Sequence, residues 1–90
     1  MLPLPLPLPA DELGAATAVA GWARRQLPAL GTDAMTLVAA LVKRAQAEGG
    51  GAMLAAFAEE AMGRALRGKN PSGLFLTIVA HGIKRKRART

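Results

Sequence analysis

The chain has 90 residues, 20 of them alanine, with three aromatics, no cysteine and a net charge of +6. So short a chain buries only about 60–65% of its unfolded surface, which bounds it to one domain with a thin core. Without cysteine there is no disulfide or thiolate chemistry, and the single histidine and six acids show neither metal-ligand spacing nor a nucleophile–base set, so the sequence predicts no enzyme and no cofactor.

Alanine has the best helix propensity and lets backbones approach closely, while β-branched residues are too scattered for a sheet. The expected fold is all-α: a small bundle of about four short helices over 11–83, an extended Leu-Pro arm over 1–10, and a basic segment over 84–90. Leu2 to Pro9 alternates Leu and Pro. Proline fixes φ and holds the residue before it extended, so the arm is non-helical. Its leucines either lie across their own domain or dock on a partner.

The first helix is predicted to start at the N-cap Asp11, with Glu12 at the positive end of the dipole, and to stop at Leu27 before Pro28. Leu13, Ala16, Ala20, Ala23 and Leu27 form its expected stripe; Val19 and Trp22 lie beside it, so either the inward face is wide or Trp22 is partly exposed. Thr32 or Asp33 caps the second helix, which runs to Glu48 with Leu37, Val38, Leu41, Val42 and Ala45 on one face. Gly49, Gly50 and Gly51 supply a tight reversal. The third helix, from Ala52 to Arg67, is expected to bury Leu54, Phe57, Ala58, Ala61, Ala65, Met53 and Met62, with Met35 as a further core filler. Gly68 stops it. Asn70 and Pro71 open a fourth helix through Leu74, Phe75, Ile78 and Val79 to about Arg85.

Charge is strongly polarised along the chain. Residues 1–60 hold all six acids and four bases, while residues 61–90 hold eight Lys or Arg and no acid. Lys84, Arg85, Lys86, Arg87 and Arg89 repel one another, so an isolated protein gains nothing from clustering them, and they read as an interaction segment for nucleic acid. A second basic cluster is Arg64, Arg67 and Lys69, followed by Asn70-Pro71-Ser72-Gly73. Lys69, the Ser72 hydroxyl and the first-turn amides would suit a phosphate, with plain helix capping as the competing reading. Helices two and three do not make a base-reading helix-turn-helix. Glu59 and Glu60 stand early in the second of them, where they would repel phosphates.

Phe75, Val79 and Ile83, spaced four apart and followed by Lys84, Arg85, Lys86 and Arg87, resemble the end of the C-terminal helical module of DnaD-type bacterial and phage replication-initiation proteins. The resemblance spans about residues 33–87, with Ile83 where that family carries Trp. It implies sequence-independent DNA binding by this end, in replication or DNA maintenance, carried here by electrostatics without the stacking a Trp would supply.

The sequence therefore predicts a nucleic-acid-binding protein, DNA favoured over RNA, or else a helical adaptor in a nucleoprotein assembly. The thin core predicts self-association or a protein partner along Val19–Trp22 or Leu37–Val42. No uncharged apolar run reaches the roughly 18 residues that cross a bilayer, and no basic n-region precedes the leucines. The expected setting is the cytoplasm, on the nucleoid, with no membrane partner.

Overall fold

The computed structural model describes residues 2–83. It has four helices: α1 (Glu12–Gln26), α2 (Ala34–Glu48), α3 (Gly51–Leu66) and α4 (Pro71–His81), with no strand among the described residues. The all-α bundle expected from composition is the observed architecture. α2 and α3 form the middle of the bundle; α1 packs on both and α4 packs on both, while the backbones of α1 and α4 stay apart.

Side chains cap the helix starts. The Asp11 carboxylate accepts from the Gly14 amide at 2.6 Å, and Asp33, rather than Thr32, accepts from Thr36 at 2.7 Å. The Thr36 backbone amide holds the Asp33 carboxyl below the usual carboxylate range, with a side-chain hydrogen bond from Thr36 adding to it. Between α2 and α3, Gly49 has φ 112° and Gly50 φ 125°, a left-handed reversal that side chains resist. α3 begins one residue earlier than expected, at Gly51. A Cβ there would lie 2.8 Å from the Ala10 carbonyl oxygen, so this glycine lets the start of α1 press against the start of α3.

The core joins Val19 and Trp22 of α1, Leu37 and Leu41 of α2, Leu54, Phe57 and Met62 of α3, and Phe75 and Val79 of α4. Alanines at 15, 16, 20, 23, 45, 58, 61 and 65 are buried between them, which is how so few large side chains fill the interior. The inward face of α1 is wide and centred on Val19 and Trp22, so Trp22 is wholly buried. Leu13 falls at the edge of that face and is 62% exposed, contrary to its place in the expected stripe. Met35 and Met53, expected as core fillers, also point outward, while Met62 is buried.

The arm lies across its own domain. Leu4 is buried and Leu8 is packed against the core. The Trp22 indole N–H donates to the Leu2 carbonyl at 2.9 Å, and the Gln26 amide both donates to that carbonyl and accepts from the Leu2 N–H. Leu6–Pro7 is a cis peptide bond.

α4 stops sooner than the sequence suggests. Its last residue is His81, and Gly82, at φ 82°, donates its N–H to the Ile78 carbonyl. The continuation expected to Arg85 is thus cut by a glycine whose backbone has left helical geometry. Lys84, Arg85, Lys86, Arg87 and Arg89 lie outside the described residues.

Candidate nucleic-acid interface

The described part of the expected basic site is the corner between α3 and α4. α3 ends at Leu66 with Arg67 as its cap, so Gly68 stands just past the helix as expected. A Cβ on Gly68 would lie 2.8 Å from the Leu74 Cδ2 atom; the glycine lets α4 fold closely over the end of α3. That tight corner places Arg64, Arg67 and Lys69, all exposed, within a few residues of the start of α4.

The three cations differ in availability. The Arg64 guanidinium donates to Glu60 at 3.1 Å across one helical turn, which offsets part of its charge. Arg67 and Lys69 pair with no carboxylate among the described residues. They are the site's available cations.

The amides expected to cradle a phosphate are largely occupied. Asn70 Oδ1 accepts from the Gly73 N–H at 3.2 Å, the Asn70 carbonyl accepts from the Leu74 N–H, and Pro71 has no N–H. Of the first turn only the Ser72 amide is left, and Ser72 is half-buried. Capping is therefore what the Asn70-Pro71-Ser72-Gly73 sequence does here. Arg67 and Lys69 are the exposed cations of the corner that pair with no carboxylate among the described residues, while Arg64 is bridged to Glu60.

The corner and the basic segment begin at opposite ends of α4. Eleven residues at 1.5 Å each give a helix roughly 16 Å long. Of the spacing that carries the DnaD-type resemblance, Phe75 and Val79 are buried in α4, while Ile83 follows the helix and packs partly on the core.

Sequence reasoning missed Arg44. Its Nε–H donates to the Val79 carbonyl at 3.0 Å and its Nη1–H to Glu48 at 2.9 Å, and the guanidinium stands 5.4 Å from the Phe57 ring centroid. Arg44 thus satisfies one of the open carbonyls at the negative end of α4 and ties that end to α2. A Cβ on Gly82 would lie 2.7 Å from Arg44 Nη1, so the glycine and the arginine together set where the chain leaves the bundle. The one available hint was an Arg–Glu pair four apart beside an apolar face. Likewise, Arg24 donates to the Thr32 carbonyl at 3.0 Å and steadies the α1–α2 turn.

No group of His, Asp and Glu suited to a metal occurs among the described residues, and none of their helices is long and apolar enough to cross a membrane. Comparison with models of protein families, with curated proteins and with solved structures finds no match to this chain.

Proposed function

We propose that the protein is a non-catalytic nucleic-acid-binding protein that contacts backbone phosphates, largely independently of base sequence, through the ends of α4 and the basic segment after it. The observation that carries this reading is the charge separation: residues 61–90 hold eight cations and no acid. Exposed Arg67 and Lys69 at the α3–α4 corner add to it. Such a concentration attracts polyanions and releases their counterions on binding. The DnaD-type resemblance favours DNA over RNA and a role in replication or DNA maintenance, and the setting that goes with such a role is the cytoplasm, on the nucleoid.

Removing residues 84–90 tests the reading. If about four of the five cations meet phosphates, the log–log salt slope falls by roughly 3–4 units on duplex or roughly 3 on single strands. The loss should be similar on unrelated sequences, because phosphate contacts carry no direct sequence information. Unchanged affinity and slope in the folded, shortened protein would overturn it. A second reading, a helical adaptor in a nucleoprotein assembly, is favoured by the exposed Leu13 and Met35 side chains.

A further inference from the structure

α2 is apolar in two directions. At 3.6 residues per turn, Leu37, Leu41 and Ala45 face the core, while Met35, Val38, Val42 and Gln46 recur on an adjoining face at i, i+3, i+7 and i+11. Leu13 of α1 closes one side of that second face, leaving an open apolar groove of about 600 Å³. Val38 and Val42 form its floor, packed partly on the core. Met35, 84% exposed, and Leu13, 62% exposed, stand at its rim.

The two edges of the groove carry opposite charge at the same end. On the α1 edge is Glu12, whose Oε1 accepts from Gln46 Nε2 at 3.1 Å. On the other edge is Lys43, exposed, which also borders a depression shared with Val79 and Ala80 of α4. A two-fold axis running along the groove carries each edge onto the opposite one. Parallel pairing of two α2 helices then brings Lys43 of each copy beside Glu12 of the other. Antiparallel pairing turns the Lys43 edges toward each other instead and sets each Lys43 away from the Glu12 of the other copy. The parallel arrangement also stacks Met35 on Met35 and Val42 on Val42, the seven-residue recurrence of a short coiled-coil seam.

We propose that this groove is the face by which two copies of the chain associate, as a parallel two-fold dimer with Met35, Val38 and Val42 in the seam and two Lys43–Glu12 pairs at its edges. The edges complement themselves, so the occupant they fit is a second copy. Two helices of 15 residues with the ends of α1 reach only the lower range of specific interfaces, near roughly 1,000 Å², so the expected association is reversible and concentration-dependent. Arg44 ties the end of α4 to the same end of α2 as Lys43. The dimer therefore brings both Ile83 residues to one end. The value of that convergence for binding polyanions rests on the function proposed above, while the interface does not.

Sedimentation equilibrium on nucleic-acid-free, full-length protein tests the proposal. The wild type should rise with concentration from 9.3 kDa toward twice that mass. Met35→Glu should keep its helicity and weaken association by about tenfold or more, because a carboxylate would be buried in the seam. Lys43→Glu and Glu12→Lys should each weaken self-association alone, yet an equimolar mixture of the two should recover it, since only the mixed pair restores both charge contacts. A wild type that stays monomeric up to submillimolar concentration overturns the interface. A mixture no tighter than its separate components overturns the parallel arrangement. Mass is read without nucleic acid, so failure of the phosphate-binding reading leaves these results unchanged.

Discussion

Two apolar surfaces border α1, and the chain treats them differently. Around Trp22 the Leu-Pro arm supplies its own cover: Leu4 enters the core and the Leu2 backbone bonds Trp22 and Gln26. Around Leu13 no segment of the described chain closes the groove, and Leu13 and Met35 stand in solvent. Both surfaces are built from the same kinds of residue. What separates them is reach: the arm runs back along α1 toward Gln26, away from the Glu12 end where the groove opens. An apolar stripe thus states that a surface needs covering, and chain connectivity decides whether the cover comes from within.

The covered surface should break hardest. Trp22→Ala would leave a large cavity among α1, the arm and the bundle, costing about 3–5 kcal/mol. That is a large share of the roughly 5–15 kcal/mol of a typical domain. Chemical denaturation should show the variant largely unfolded or with its midpoint greatly reduced; a small shift would mean that the arm and Trp22 do not share one cooperative core.

The contrast sharpens with paired truncations. Leu4→Ala should cost about 2 kcal/mol, the low end for a buried leucine, while Met35→Ala should stay within about 0.5 kcal/mol at concentrations where the chain is monomeric. Equal losses in urea melts would erase the distinction between the two surfaces.

The smallest expected effect concerns the start of α2, which carries Met35. The Asp33 carboxyl is held below its ordinary value of 3.8 by the Thr36 amide. A carboxyl with a lowered folded-state pKa stabilises the fold above its unfolded value and loses that contribution as pH falls through the folded one. The melting temperature should therefore decline slightly more below about pH 4 in the wild type than in Asp33→Asn, compared by thermal melts across that range. Identical profiles would show that the cap does not influence stability there.

Helix number, order and most boundaries could be read from the chain because they depend on local chemistry: Asp11 and Asp33 as caps, the glycines after Glu48, and Asn70-Pro71 before α4. Which side of each helix turned inward was harder. Leu13, Met35 and Met53 fit a helical period, yet periodicity reports spacing and leaves the direction of the face to packing among alanines. The end of α4 went unread because Gly82 sits between apolar and basic residues that continue the helical pattern. In the corner site, the sequence places Arg64, Arg67 and Lys69 together, but the diversion of the first-turn amides to Asn70 depends on side-chain geometry. Arg44 was hidden for a related reason: its carbonyl partner, Val79, is 35 residues away.

Trp22 is the only tryptophan in the chain, and its indole nitrogen bonds the backbone of the arm. The protein therefore contains an intrinsic optical reporter of one event. Lifting the arm would admit water to the indole and move its emission to longer wavelength, without any attached dye. Trp22 lines neither the Leu13–Met35 groove nor the α3–α4 corner, so pairing of two chains or capture of a polyanion should leave its colour almost constant. Fluorescence can thus follow opening of the arm separately from both.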